Sequence, residues 1–441
     1  MKHSHIFKEF SKYVTVNILG MIGLSCYILA DTYFIAQGLG SHGLAALNLA
    51  ISVYSFIHGT GLMIGVGGAT KFSILKAQGR HEEANRYFTH SVGFGLFIGL
   101  LFLLTGVFLS GPIARLLGAD GDTFAMTSVY LRTILCFAPF FIANNVLLAF
   151  VRNDHAPKLA MGAMLLGSFS NIGLDYLFLF PCHMGMFGAA LATGIAPVLG
   201  ILTLSTHFFQ KDNQLRLSRC AFKLKKCGTI LSLGLSAFIS EISSGIVLIV
   251  FNLIILSLAG TVGVAAYGII ANLALVILSI FTGIAQGIQP MVSRFYGMDC
   301  RQKLIPLLKY GLILSLGIAA FTYGIAWGLG DLLVAAFNSE GDTQLAAMAK
   351  EGMLLYFTGF FFAGVNVVSA AFLSAAEQPA KGLLISLGRG CLFLLPIVFL
   401  LSSFLGMKGV WLSFPAAEGM STALSILFLI CAQKKWSGRS S

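Results

Sequence analysis

The sequence predicts an all-α polytopic membrane protein of twelve transmembrane helices, arranged as two six-helix parallel repeats. Three observations carry this. Of 441 residues, 57% are hydrophobic and only 10% are charged, against about 25% charged in soluble domains. Apolar runs long enough to cross a hydrocarbon core of about 30 Å recur along the whole chain. Blocks of the first half return in the second at a nearly constant offset. A soluble chain of this length would need far more polar surface.

The apolar runs fall at 13–36, 43–70, 88–112, 124–150, 158–180, 185–208, 227–258, 262–291, 308–336, 347–374, 380–404 and 407–432. Several are longer than one crossing needs, so tilt or overhang is expected. The opening MKHSHIFKEFSKY has no short apolar core followed by a cleavage site, so the first run reads as a retained signal-anchor helix. Of the 28 Lys and Arg, 23 fall at the two termini or in the loops that join an even run to the next odd one. Arg115 and Lys408 stand in the opposite loops, and Arg132, Lys350 and Arg389 within runs. This asymmetry puts both termini and the 209–226 segment in the cytoplasm, for a multi-pass protein of the cytoplasmic (inner) membrane. The net charge of +11 is then topological bias plus attraction to anionic lipid, not a nucleic-acid patch. The eight Cys are scattered without CxxC spacing, which argues for small apolar side chains over a disulfide framework or a zinc site.

The repeat is legible in four blocks. GSHGLAALNLA (40–50) lies over GTVGVAAYGII (260–270) at offset 220, and GLMIG (61–65) over GIAQG (283–287) at 222. FFIANNVLLAFVRNDHAPK (140–158) lies over FFAGVNVVSAAFLSAAEQPAK (361–381), matching Asn144 to Asn366 and Pro157 to Pro379, and GMFGAALA (185–192) over GMKGVWLS (406–413) at 221. Six runs per half give both halves the same orientation, a parallel repeat about an axis along the membrane normal. Transporter halves of this kind flank a central path. The expected domains are a lobe at 1–208, a cytoplasmic hinge linker at 209–226, lying partly along the surface as a helix, and a lobe at 227–441.

Four acids fall inside runs: Asp31, Asp175, Glu241 and Glu418. An ionised group there costs roughly 2.5–3.5 kcal/mol on insertion scales, so it is rarely kept without a use. At 1.5 Å per residue, Asp31 stands about 8 Å below the outer end of its run, Asp175 at a similar depth, and Thr193 about 12 Å down. Asn171, four residues before Asp175, shares its helix face. Two carboxylates, an amide and a hydroxyl thus converge in the outer part of the first half. Hard oxygen ligands suit a small cation, and neighbouring carboxylates in a low dielectric suit a shared proton. Glu241 reads either as a substrate or second cation contact or as a satisfied interior acid. His58 and Arg132 read as packing or lipid-edge groups. Pro139, Pro197, Pro290, Pro396 and Pro415 fall inside apolar runs and can bend helices there.

The context ADTYFIAQGLG around Asp31, the loop RNDHAP after the fourth run, NIGLDYLFLF in the fifth and AQGIQPMVSRFYG in the eighth complete a pattern. With twelve runs in two repeats, it resembles the multidrug and toxic compound extrusion (MATE) family, whose members export cationic drugs in exchange for protons or sodium ions. The resemblance covers essentially the whole chain. It implies that Asp31, Asn171, Asp175 and Thr193 occupy the cation-site positions of the N-terminal lobe, as metal ligands if the ion is Na⁺, with Tyr27 and Asn145 as neighbours. Glu241 matches an acid used by some members, which also carry one in the tenth span. This chain has only Glu351 there, near the outer end, which favours coupling through the N-terminal pair. Glu241, Gln286 and Glu418 are the candidates for contacting substrate. In RNDHAP the usual Gly or Asn is replaced by His155 and Ala156.

The expected machine is a V-shaped pair of lobes, working as a monomer in the bilayer. It would exchange H⁺ or Na⁺ for small cationic, often aromatic, compounds by alternating access, with no cofactor and no nucleic-acid partner. A lipid-linked sugar or oligosaccharide flippase is the nearest alternative, but it needs a basic cavity where this chain has acids. An intramembrane enzyme is disfavoured because the nine His are dispersed, with no HxxxD or HExxH. A channel fits tandem six-helix halves less well.

Overall fold

The computed structural model describes residues 2–337 and 342–437. Glu340, expected in an outer loop, and Arg439, part of the C-terminal charge count, lie outside the described residues. The chain is helical nearly throughout. The first half holds α1 (Lys2–Ala77), α2 (His81–Leu116), α3 (Gly121–Cys136), α4 (Ala138–Asn153), α5 (Pro157–Leu179) and α6 (Gly185–Ser205). The second holds α7 (Leu224–Gly297), α8 (Leu304–Phe337), α9 (Thr343–Phe357), α10 (Phe360–Ala375), α11 (Pro379–Leu387), α12 (Leu394–Leu405) and α13 (Met407–Ser437).

Among the described residues nine helical stretches are long and apolar enough to cross a bilayer, ten when α3 and α4, bent by 48°, count as one crossing. α1, with 76 residues, would reach over about 100 Å if straight. It breaks at Gly40 (φ 67°, ψ −159°), and α7 breaks at Gly260 (φ 61°, ψ −155°). Both are conformations open essentially only to glycine. Division at these two points gives twelve crossings, one for each apolar run.

The duplication is written into the backbone as well. Positive φ recurs at paired positions: Gly40 with Gly260, Gly79 (76°) with Asp299 (55°), His155 (66°) with Glu377 (54°), and Gly185 (58°) with Gly406 (57°). His155 thus occupies a left-handed position at the point where the resembling family carries Gly or Asn. The breaks recur too: α3 ends where α4 begins at Phe137, with Pro139 in the first turn of α4, and α9 passes to α10 at Thr358 and Gly359. The eleventh crossing holds a π-helical segment, Gly388–Leu392, just before Pro396. Proline has no N–H to donate and its ring crowds the carbonyl four residues back, here that of Leu392, so the wider turn absorbs the clash. Pro197, Pro290 and Pro415 lie within continuous helix.

The packing is that of a protein with lipid as solvent. α2 buries Gly95, Gly99, Gly106 and Ser110 and exposes Leu96, Phe97, Leu100, Leu101, Leu104 and Phe108. Small residues face the neighbouring helices so that backbones approach, and large apolar ones face outward. The closest approach is reciprocal. A Cβ on Gly67 would stand 1.9 Å from the carbonyl oxygen of Ile230, and one on Gly234 would stand 1.9 Å from that of Met63. The obstacle is backbone on both sides, so one methyl must drive the helices apart. Gly67→Ala and Gly234→Ala are each expected to destabilise by about 1–3 kcal/mol or more. The check is a lower yield of monodisperse protein and a lower melting temperature than wild type, with Gly93→Ala, where the added Cβ meets nothing within 4 Å, as the control.

Two compact units result, one of residues 15–242 with 293–299, the other of 1–14, 243–292 and 300–441. In the second, Tyr310 meets Phe7 and Phe10 at ring distances of 5.4 and 5.6 Å. In the first, the segment after α6 departs from expectation: no surface helix forms there. A short 3₁₀ turn, Thr206–Phe209, is followed by irregular chain to Lys223. The physical reason is that side chains take the N–H groups a helix would use. Gln214 N donates to Asp154 Oδ2 (2.7 Å), Arg216 N to Asn85 Oδ1 (3.2 Å), Ser218 N to Thr89 Oγ1 (2.9 Å) and Lys223 N to His90 Nε2 (3.1 Å). The 210–223 segment is a strap held along α2 and the RNDHAP turn, where buried Asp154 also pairs with His207 at 2.9 Å.

Candidate functional site

Asp31 sits in α1 nine residues before the Gly40 break, Asp175 in α5 four residues before its end at Leu179, and Thr193 in α6 eight residues after its start at Gly185. Each is therefore within about 14 Å of the same end of the helices. Asp31 is 7% exposed, Thr193 4%, and Asn171 and Asp175 fully buried. The side chains of Asp31 and Asp175 are neighbours, and two carboxyl groups so placed can share one proton. Oδ1 of each remains buried without a hydrogen-bond partner. With its amide oriented to satisfy its neighbours, Asn171 donates from Nδ2 to Asp175 Oδ2 at 3.0 Å and accepts at Oδ1 from Thr193 N at 3.3 Å. The Thr193 hydroxyl donates to Ala189 O at 3.1 Å.

The predicted quartet is thus one cluster. Its oxygens suit a small hard cation, and paired carboxyls in a low dielectric suit a shared proton. Both chemistries draw on the two unpartnered carboxylate oxygens, since buried acceptors left unpaired are costly and rare.

Of the predicted neighbours, Tyr27 joins the cluster's surroundings. It lies one turn before Asp31, and its hydroxyl is 2.8 Å from that of Tyr54. Asn145 lies against Gly61 and Gly65 of α1, further along the helix than Asp31. Tyr130 of α3, not anticipated, lies beside Thr193 and is buried near both carboxylates. Nothing in its local sequence marks it.

The remaining candidates separate. Glu241 lies in the first unit with His58 Nδ1 at 3.4 Å from its Oε1. His58 is therefore beside an acid, not at a lipid edge. Glu418 is in the second unit and occupied: Arg389 donates from Nη2 (2.7 Å) and Nε (3.0 Å) to Oε1, and Asn366 donates from Nδ2 to Oε2 (2.6 Å). Gln286 is half-buried in α7 beyond Gly260.

A duplicated six-helix unit whose buried acids cluster at membrane depth is the architecture of a secondary transporter. The sequence matches the MatE family model over residues 17–177 and 236–400, and the chain belongs to the MatE family, which consists of transporters and not enzymes. It is similar to the multidrug export protein MepA of Staphylococcus saprophyticus subsp. saprophyticus, 26% identical over 428 residues that cover 97% of this chain and 94% of the relative. MepA of Staphylococcus aureus is 27% identical over 429 residues, with the same coverage. Among solved structures, a MOP superfamily transporter from Pyrococcus furiosus superposes with a TM-score of 0.90 at 21% identity, covering 98% of this chain and 96% of that one. The Vibrio cholerae MATE transporter VcmN superposes at 0.88 with 21% identity and 98% coverage of both chains. These structural likenesses bear on the fold.

Proposed function

We propose that this protein is a cation-coupled antiporter that exports small cationic, often aromatic, compounds across the cytoplasmic membrane by alternating access. The observation that carries the reading is the buried Asp31–Asp175 pair with Asn171 and Thr193, a cluster that takes a proton between its carboxyls or a sodium ion among its oxygens. The MepA relatives are multidrug export proteins, which supports export of small molecules. Entry of the ion at this cluster favours the state that releases substrate outside, and exchange requires only that ion and substrate bind the two states with different affinity. A membrane potential adds about 2.3 kcal/mol per charge per 100 mV to the ion gradient. In this reading both termini are cytoplasmic, the lobes are 1–208 and 227–441, and the chain acts as a monomer.

The test is ethidium efflux from proteoliposomes with a proton gradient and a sodium gradient imposed separately. Efflux driven by H⁺ alone identifies the pair as a proton carrier. Efflux that needs Na⁺ identifies an oxygen-lined ion site, with Asn171 and Thr193 as neutral ligands. No movement under either gradient sinks the antiporter reading.

A further inference from the structure

Glu241 is the other intramembrane acid of the first unit, and unlike Asp31 and Asp175 it is open: its side chain is 32% exposed. A carboxylate open to acyl chains carries the insertion penalty of roughly 2.5–3.5 kcal/mol, so its open side faces water. Its closed side meets His58. The Nδ1–Oε1 separation of 3.4 Å is ion-pair distance, yet Nδ1 is buried with no hydrogen-bond partner. The two groups are apposed without being locked together.

Aromatic rings surround them. Tyr54, one turn before His58, stacks on its ring with centroids 5.8 Å apart and planes 10° from parallel. Phe238, one turn before Glu241, meets Phe56 edge-on at 5.5 Å, and Phe56 is 48% exposed. Gly59 makes room for this: a Cβ there would lie 3.2 Å from Phe238 and 3.4 Å from the Glu241 side chain. An accessible carboxylate beside ring faces is the chemistry that recognises an organic cation.

The geometry points to His58 as a built-in competitor for Glu241, one that the positive group of a transported organic cation must displace from the carboxylate. The substrate's positive group takes the place of the imidazole beside the carboxylate and adds contact with the rings of Tyr54, Phe56 and Phe238. The carboxylate thus passes from one neighbour to another. His58 then sets selectivity: a ligand binds only if it outcompetes an imidazole. The Tyr54–Tyr27 hydroxyl contact of 2.8 Å leads from this site to the turn that carries Asp31. The inference rests on the export reading for its substrate class, and it is independent of which ion couples.

Binding of ethidium and of tetraphenylphosphonium to the purified full chain in nanodiscs tests it. Glu241→Gln should weaken both by about tenfold or more. His58→Gln and His58→Asn, which remove the competing imidazole, should tighten both several-fold. His58→Lys, which puts a fixed positive charge beside Glu241, should weaken both. A purely structural role for His58 would weaken binding in all three variants. In the Glu241→Gln background the His58 substitutions should have no effect. The inference is overturned if wild type binds neither probe, if Glu241→Gln binds as wild type does, if the neutral and Lys variants move affinity in the same direction, or if the His58 effect persists without Glu241. Wild-type protein that binds the probes with these dependences but moves nothing under either gradient would sink the antiporter reading and leave this site standing. Wild-type protein that exports ethidium while Glu241→Gln binds it undiminished would sink this site alone.

Discussion

Asp31→Asn is expected to abolish gradient-driven export while leaving a folded, membrane-inserted protein. The substitution keeps volume and planarity in a site where the side chain is 7% exposed, so it opens no cavity. It removes one carboxyl of the Asp31–Asp175 pair, and with it one of the two carboxylate oxygens that lack a partner. A proton then has no second carboxyl to bridge, and a sodium ion loses half of the charge that attracts it. The free-energy difference with which the ion biases the two states falls accordingly, and an antiporter has no other means of drawing work from the gradient. The variant should elute as wild type does on size exclusion, melt no lower, and release ethidium no faster than liposomes without protein. Wild-type export by Asp31→Asn would remove the pair from the coupling role.

The parts of this site that were legible in the sequence share one property: they follow from position along a single helix. Depth comes from rise per residue, so Asp31, Asp175 and Thr193 could be set at one level once their runs were bounded. The face shared by Asn171 and Asp175 comes from spacing of four. The parts that were not legible arise between helices distant in the chain. Tyr130 reaches Thr193 across 63 positions and His58 reaches Glu241 across 183, and no periodicity encodes either. Arg389 could have been paired with Glu418, because a buried charge demands a partner and the two lie in consecutive runs. The strap at 210–223 departs from the expected helix for the same reason. Its basic, polar composition is compatible with a surface helix, but Asp154, Asn85, Thr89 and His90, all distant in the chain, accept its backbone donors, and tertiary context overrides local propensity. Among the folded features, the glycine breaks at Gly40 and Gly260 were visible as aligned glycines, though not as left-handed hinges within α1 and α7.

Glu418→Gln and Arg389→Gln are each expected to lower stability by about 3–5 kcal/mol, enough against a typical total of about 5–15 kcal/mol to cost most of the folded yield, whereas Arg389→Met combined with Glu418→Leu should recover it. The reason is asymmetric. Glu418 is 1% exposed and its carboxylate is saturated, by Arg389 on Oε1 and by Asn366 on Oε2. Asn366 is committed in turn, since its Oδ1 accepts from Ser425 at 2.8 Å and from Thr422 at 3.2 Å. The π-helical turn at Gly388–Leu392 carries the arginine of this network. Loss of one partner leaves a lone charge inside the bundle, while loss of both leaves apolar surface that packs. Thermal unfolding followed by size exclusion separates the cases. The duplicated half shows what the network replaced: Asn144, the repeat partner of Asn366, has a buried Oδ1 with no partner. If Glu418→Gln instead stays as stable as wild type and loses only export, Glu418 is a transport residue and Arg389 its displaceable counter-ion. The expected stability loss would make this pair the fixed scaffold of the second unit, and leave ion and substrate chemistry to the acids of the first.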